Sequence, residues 1–349
     1  MIIHSPDYEL HQDPYHIENK DRTKSIMQNL YDKNFLNHLN VSNPEKSSKK
    51  DLLRVHSPGH VNHIQEFCEK GGGYLDYDTY ASPQSYQVAL LAGGGAIMAA
   101  EKVILGEKWA YSVSRPPGHH AIRENAMGFC LFNNAAVAVE KIRDKYDKKR
   151  FLIFDFDVHY GNGDADIFYD DPEVMYVSIH QDPHTIFPGK GFLEEIGSGP
   201  GTGFNLNIPM HPGSNNADYI WILDKILPGV ISEFKADLLL VEAGFDAHRD
   251  DPLSQINIDE DFYSWVGVYL MGLQESMAVI LEGGYNLRAL AQSNSVFINS
   301  LLDHKLLPSA EYKTQKEIET QYLNKDKVSI NTLKTFKEIK DNFSPFWGL

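Results

Sequence analysis

Three side chains that could bind a metal lie close together in the segment Phe151 to Asp166, FLIFDFDVHYGNGDAD. Asp155, Asp157 and His159 are spaced by two residues, and in an extended chain every second side chain projects to the same side. The spacing therefore predicts that two carboxylates and one imidazole face one place. The alternative is a set of solvated turn residues, because Asp and Asn are common in turns.

Further reactive side chains follow other apolar runs. His119 and His120 end the segment SRPPGHH, in which two prolines stiffen the turn and Gly118 permits an unusual backbone angle. Asp246 lies in EAGFDAH, and Tyr285 lies in EGGYN. A lone histidine is more often a core or surface residue, but a fixed pair suits acid–base chemistry or metal binding.

These side chains together predict a hydrolytic site. Asp157, His159 and Asp246 supply one nitrogen and two carboxylate oxygens, which suits a catalytic metal with open positions; zinc is the leading candidate and ferrous iron the alternative. The histidine pair can take a proton from water and return it to a leaving group. Tyr285 can donate a hydrogen bond to an oxyanion. The chemistry indicated is metal-assisted amide hydrolysis.

Buried strands must bring these residues together. Apolar runs predict six of them: Trp109–Val113, Phe151–Phe154, Val174–Ile179, Phe204–Ile208, Ala236–Val241 and Met277–Leu281. Helices are predicted over Ala89–Leu105, as a tightly packed element instead of a membrane span, and over Leu131–Tyr146. Four of the strands deliver the reactive residues at their carboxyl ends, which is where open parallel sheets hold their active sites.

The composition of the 349 residues, with 42% hydrophobic content, predicts one α/β domain over residues 1–349. A net charge of −16 argues against nucleic-acid binding and is compatible with cationic peptides or polyamines. The two cysteines, Cys68 and Cys130, exclude a disulfide framework and a four-cysteine zinc site. MIIHSPDYEL does not read as a signal peptide, so we expect a cytoplasmic protein without a membrane span.

The long loop Asp182–Gly203 carries Phe187, an aromatic side chain that could wall a pocket. Its last part, GSGPGTG from Gly197 to Gly203, superficially resembles a phosphate cradle. We reject that interpretation, because Pro200 removes an amide donor, no lysine follows, and the next segment is predicted to be a strand.

Several long motifs resemble those of the histone deacetylase and acetylpolyamine amidohydrolase family, and they occur in the family's order. They are RPPGHHA, GFCLFNNAAVA, DFDVHYGNG, EAGFDAHRDDPL and EGGYN. The segments GGGYLDYDTYASP and FSPFWGL are also similar to bacterial members close to the class II deacetylases. The resemblance implies the arginase-deacetylase fold, with a central, mainly eight-stranded parallel sheet flanked by helices.

The resemblance also implies a role for each site residue. Asp157, His159 and Asp246 would be the zinc ligands, and Tyr285 the oxyanion donor. The histidines would have different partners, Asp155 behind His119 and Asn162 behind His120. The residues implied for substrate binding are Phe129 and Phe187 as walls of an acyl-lysine channel with Gly128 beside them, Asp78 on the substrate backbone, and Leu253. The residues implied for structural potassium are Asp155, Ser178 and Ile179, with Phe168, Asp171 and Val174 at a second site.

The chain departs from the family pattern near the central motif. Tyr160 stands where the family often has a second histidine, and Asp164-Ala165 replaces a common Thr-Gln pair. Asn162 stands where class I enzymes have aspartate, which indicates the class II side.

Four functions remain open from the sequence. The first is a protein lysine deacetylase, and the second is a polyamine or other small-molecule deacetylase, for which apolar Leu253 occupies a gatekeeper position that can be acidic. The third is a dimanganese ureohydrolase, which would need an aspartate at Gly161. The fourth is a non-catalytic acetyl-lysine binder, which the complete set of ligands, histidines and tyrosine disfavours.

Overall fold

A computed structural model describes all residues 1–349 and contains ten strands. Eight form one parallel sheet in the order β2-β1-β5-β10-β9-β6-β7-β8, and β3 and β4 form a separate antiparallel pair. The strands are β1 Ile2–Ile3, β2 Val41–Ser42, β3 Gly73–Tyr74, β4 Tyr80–Ala81, β5 Trp109–Ser112, β6 Phe151–Asp155, β7 Val174–Gln181, β8 Asn205–Met210, β9 Leu238–Ala243 and β10 Met277–Leu281. The predicted eight-stranded parallel sheet is confirmed.

Eleven α-helices and four short 3₁₀ segments surround the sheet. The α-helices are α1 Asp21–Asp32, α2 Lys49–Leu52, α3 Pro58–Glu69, α4 Ser85–Ile104, α5 Asn134–Tyr146, α6 Asn162–Phe168, α7 Asn216–Phe234, α8 Glu260–Leu273, α9 Leu287–Leu301, α10 Gln315–Tyr322 and α11 Ile330–Phe343.

The sheet is buried on both faces because its central strands are apolar on both faces. In β6 the side chains of Leu152 and Phe154 join one core cluster of 53 buried residues, which includes residues of α7, α8 and α9. The alternate side chains, Phe151 and Ile153, join a second cluster of 35 buried residues, which includes residues of α4 and α5. The alternation of side chains along the strand thus divides one continuous apolar run between two layers of helices.

The six predicted strands are all present, with ends shifted by a few residues. The strand predicted to end at Val241 continues as β9 through Glu242 to Ala243, because both residues are buried in the sheet although one carries a carboxyl group. The helix predicted from Leu131 starts only at Asn134, since the Asn133 side chain accepts a hydrogen bond from the Ala136 N–H and caps the helix.

One helix, α4, is long and apolar enough by length and composition alone to cross a membrane. However, 72% of its 18-residue apolar window is buried inside the fold. This burial is typical of a core helix, as the sequence predicted.

The glycine-rich segment from Gly197 to Gly203 is followed by strand β8, as predicted. The last glycine of this segment also contacts the C-terminal residues of the chain. Gly203 has a φ of +92°, and a Cβ atom there would lie 2.6 Å from the ring of Phe346. The Trp347 indole N–H donates to the Gly203 carbonyl at 2.6 Å. The last glycine of this segment therefore leaves room for an aromatic side chain of the tail.

The reactive residues follow four strands that are neighbours in the sheet, β5, β10, β9 and β6. All four are parallel, so their carboxyl ends lie along one edge. This arrangement positions the site described next.

Candidate metal centre and active site

Three ligands converge at the carboxyl edge of the sheet. The ligand atoms of Asp157, His159 and Asp246 lie within 4.8 Å of one another, and all three residues are buried. His159 Nδ1 is 3.1 Å from Asp157 Oδ1 and 3.3 Å from Asp246 Oδ2. Asp246 is fixed from the other side, because its Oδ1 accepts the Val158 N–H at 2.9 Å.

Asp155 does not belong to this cluster, so the prediction that Asp155, Asp157 and His159 face one place was wrong for its first member. The strand ends at Asp155, and successive Asp turns follow: the Asp157 N–H donates to Asp155 Oδ1 and the His159 N–H to Asp157 Oδ1, each at 2.9 Å. The alternation of an extended chain therefore stops at Asp155, whose carboxylate contacts His119 instead.

The charges of the cluster fit a divalent cation. Asp246 Oδ2 is buried without a hydrogen-bond donor, since His159 Nδ1 approaches it without forming a hydrogen bond. Burial and the Asp157 carboxylate raise the pKa of Asp246 to about 7. Burial disfavours a charged His159, but the adjacent carboxylates of Asp157 and Asp246 raise its pKa to about 10. The cluster therefore attracts positive charge, and one nitrogen with two carboxylate oxygens suits zinc or ferrous iron.

The two histidines lie side by side with different partners. Their ring centroids are 4.0 Å apart. His119 Nδ1 is 3.0 Å from Asp155 Oδ2, which also accepts the Tyr176 hydroxyl at 2.8 Å. His120 Nδ1 is 2.8 Å from Asn162 Oδ1. The structure thus pairs one imidazole with a carboxylate and the other with a neutral amide, as the resemblance implied.

The surroundings of the two rings shift their pKa values in opposite directions. Burial disfavours the charged form of both, but the carboxylates of Asp157 and Asp155 raise the pKa of His119 well above its ordinary value. Burial and repulsion from His119 and His159 hold the pKa of His120 well below its ordinary value. These surroundings therefore favour the charged form of His119 and the neutral form of His120.

Tyr285 lies on the turn after β10 and is held by two residues that the sequence did not indicate. Its backbone N–H donates to Asp251 Oδ2 at 2.7 Å. The Arg22 guanidinium lies 4.9 Å from the centre of its ring and donates to the Gly284 carbonyl at 2.7 Å. Burial raises the pKa of Tyr285 well above its ordinary value, so the hydroxyl stays a hydrogen-bond donor.

Two aromatic rings stand beside these groups. Phe187 makes an edge contact with His120 at 4.9 Å between ring centroids and is 41% exposed. Phe129 makes an edge contact with Tyr285 at 5.7 Å. Gly128 has a φ of +55°, and a Cβ atom there would lie 2.5 Å from His120 and 2.9 Å from Phe187. A side chain at Gly128 would fill the space between the Phe187 ring and His120.

The remaining residues implied for substrate binding lie on loops tied to this site. Asp78 is half-buried, and its neighbour Thr79 accepts the Phe129 N–H at 3.2 Å through its hydroxyl. Leu253 is half-buried, and its N–H donates to Asp251 Oδ1 at 3.0 Å. One carboxylate, that of Asp251, therefore joins the Leu253 loop to the Tyr285 turn.

The residues implied for potassium lie in two places. Asp155 and Ser178 are paired in register between β6 and β7, Ile179 follows, and the Ser178 hydroxyl is 2.9 Å from His180 Nδ1. Phe168, Asp171 and Val174 lie between α6 and the start of β7, where the Asp171 N–H donates to the Phe168 carbonyl and the Val174 N–H to the Asp171 carbonyl. The structure places the residues of each set near one another in the fold.

Comparison with known protein families finds a match over most of the chain. The model of the histone deacetylase domain matches residues 16–301. A probable deacetylase of Methanothermobacter thermautotrophicus is 50% identical over 301 residues, which cover 86% of this chain and 90% of that protein. A histone deacetylase-like amidohydrolase of Pseudomonas aeruginosa is 37% identical over 271 residues, which cover 76% and 71%.

A solved structure is similar over nearly the whole chain. The crystal structure of the HDA15 HD domain superimposes with a TM-score of 0.89 at 32% sequence identity. The match covers 99% of this chain and 94% of that one.

Proposed function

Because the chain belongs to the histone deacetylase family and has its fold, we propose that it is a zinc-dependent, class II-like deacetylase that hydrolyses the acetyl amide of acetyl-lysine. The observation that carries this proposal is the meeting of the three-ligand cluster with the histidine pair. His119 Nε2 is 3.9 Å from Asp157 Oδ1, and the rings of His120 and His159 are 5.9 Å apart.

Asp157, His159 and Asp246 would hold the metal, with zinc preferred and ferrous iron as the alternative. A bound dication would supply a Lewis acid that polarises the amide carbonyl and acidifies water. Because His159 must lose its proton to become a ligand, metal uptake is expected to release protons and to weaken as the pH falls.

Side chains of the protein carry out the proton transfers. His120 is the neutral imidazole, so its free ring nitrogen accepts a proton from the attacking water and returns it to the departing amine. His119, whose charged form is favoured by the carboxylates of Asp157 and Asp155, orients the water and contributes a positive charge. Tyr285 keeps its proton and donates a hydrogen bond when the carbonyl oxygen becomes an oxyanion.

The aromatic rings of Phe129 and Phe187 favour a substrate with a long aliphatic stem, such as an acylated lysine. Phe129 and Phe187 each make an edge contact with a catalytic group, and Gly128 keeps the space beside His120 free. Asp78, on the loop that binds the Phe129 backbone, would accept hydrogen bonds from the substrate backbone.

The proposal extends to the rest of the chain. Residues 1–349 form one catalytic domain. Asp155, at the end of β6, with Ser178 and Ile179 of β7 would hold one structural potassium ion, and Phe168, Asp171 and Val174 would hold a second. Both cysteines are buried and unpaired, which fits a cytoplasmic protein. The substrate is an acetylated lysine peptide or protein, with no nucleic-acid or membrane partner.

An acetylated polyamine is the second candidate substrate, and the net charge of −16 favours it. Leu253 argues against it, since this half-buried apolar side chain offers no charge to a free ammonium group. A panel of acetyl-lysine peptides and acetylated polyamines, assayed side by side, tests both. We expect higher kcat/KM on the peptides, and Leu253→Glu should shift the preference toward polyamines. A wild-type preference for acetylspermidine would refute the acetyl-lysine assignment.

A further inference from the structure

Glu282 follows β10 and is fully buried beside the histidine loop. Its Oε2 atom accepts the Gly118 N–H at 2.7 Å and the His119 N–H at 3.2 Å. Neither N–H has another acceptor in hydrogen-bonding geometry. A single oxygen atom, 163 residues away in sequence from His119, therefore satisfies both amides that precede the two imidazoles.

The same turn contacts two other parts of the site. The Gly283 N–H donates to Asp157 Oδ2 at 2.7 Å, and Tyr285 follows two residues later. The Arg22 guanidinium donates to the backbone carbonyl of Glu282. Glu282 thus lies where a metal ligand, the oxyanion donor and the histidine pair must keep a fixed distance from one another.

We propose that Glu282 is a positioning residue that fixes the His119–His120 pair relative to the three-ligand cluster and Tyr285. The proposal rests on the amide hydrolysis proposed above. Other bonds to the loop act on its carbonyls, such as the Gly163 N–H to the His119 carbonyl at 2.9 Å and Asn134 Nδ2 to the Pro116 carbonyl at 3.1 Å. Glu282 supplies the acceptor for the N–H groups of the loop, and hydrogen bonds to the carbonyls of the loop cannot replace that acceptor.

The contact requires an acceptor and not a charge. Burial raises the pKa of Glu282 to about 7, although the His119 imidazolium opposes the rise. Its second oxygen, Oε1, has no hydrogen-bond partner and can carry the proton. Oε2 accepts both N–H groups in either state, so a glutamine that turns its carbonyl oxygen toward the loop reproduces the contact.

A pair of uncharged variants isolates the hydrogen bonds. Glu282→Gln keeps an acceptor, whereas Glu282→Met fills a similar volume without one. We expect Glu282→Gln to stay within about threefold of wild-type kcat, and Glu282→Met to lose at least about tenfold in kcat with KM and metal content unchanged. The matched control is Glu242, a fully buried carboxylate on β9 without any hydrogen-bond partner, at which the Gln and Met variants should stay within about threefold of wild type.

Equal kcat values for Glu282→Gln and Glu282→Met would overturn the proposal. If Glu282→Met does not fold, Glu282→Asp carries the same test, because its carboxylate is one methylene too short to reach the loop, and full activity would again overturn it. Hydrogen exchange of residues 114–121, followed by mass spectrometry, needs no turnover. Faster exchange in Glu282→Met than in Glu282→Gln supports the positioning role of Glu282 without reference to activity. If the wild-type protein hydrolyses no acetyl substrate, that failure refutes the proposed function and leaves the positioning role standing on the exchange data.

Discussion

Replacing Asn162 by aspartate should raise the pKa of His120, which we propose as the general base. Asn162 Oδ1 lies 2.8 Å from His120 Nδ1, and both side chains are buried. Two unit charges about 4 Å apart interact by about 4 kcal/mol at an effective dielectric constant of about 20. This energy corresponds to about 3 pKa units. Burial of the new carboxylate offsets part of it, so we expect a rise of about 1–3 units.

The sign follows from the role of the base. His120 must be unprotonated in the free enzyme, so a higher pKa moves the acidic limb of the kcat/KM profile to higher pH. We would measure this profile from pH 5 to pH 9 with one acetyl-lysine peptide and matched metal content. Asn162→Ser, which removes the amide without adding a charge, is the control and should not move the limb upward. A limb that stays in place or moves to lower pH in Asn162→Asp would refute the assignment of His120.

Three further outcomes are expected. Asp157→Asn should lose both bound metal, measured by elemental analysis, and activity; full wild-type activity after exhaustive chelation would contradict the metal centre. Tyr285→Phe should keep metal and KM but lose about 10²–10³ in kcat, or roughly 2.7–4 kcal/mol, and an unchanged kcat would limit the tyrosine to packing. Gly128→Ala should lower kcat/KM at unchanged metal content, because its Cβ would meet His120 and Phe187, and normal peptide turnover would show that this space is not used.

The central sheet could be predicted from the sequence because its strands are continuous apolar runs with reactive residues at their ends. Met277–Leu281 was predicted with the bounds that the structure has. The strands β1 and β2 were missed, since two residues carry no measurable period. Asp155 was misplaced because the chain turns immediately after it, and periodicity does not show where an extended segment ends.

Contacts between distant segments could not be predicted from the sequence. Arg22 reaches the Tyr285 ring across more than 260 residues, and nothing in the helix that begins at Asp21 distinguishes it from a surface arginine. Asp251 lies in the motif EAGFDAHRDDPL, but the hydrogen bond that it accepts from the Tyr285 N–H depends on how two loops meet. The partners of His119 and His120 were anticipated only through the family resemblance, and the structure places them at hydrogen-bonding distance.

The order of the strands has a consequence for how the chain is made. β10 comes last in the chain among the eight strands, yet it lies between β5 and β9 in the sheet. Until residue 281 has left the ribosome, β5 and β9 each present an unpaired, apolar edge, which is a site for mispairing and aggregation. The last strand must insert between two strands that lie far from each other in sequence, a non-local step that slows folding. Tyr285 directly follows this strand, so the pairing of β10 with both neighbours is what places the tyrosine beside the metal ligands and the histidine pair.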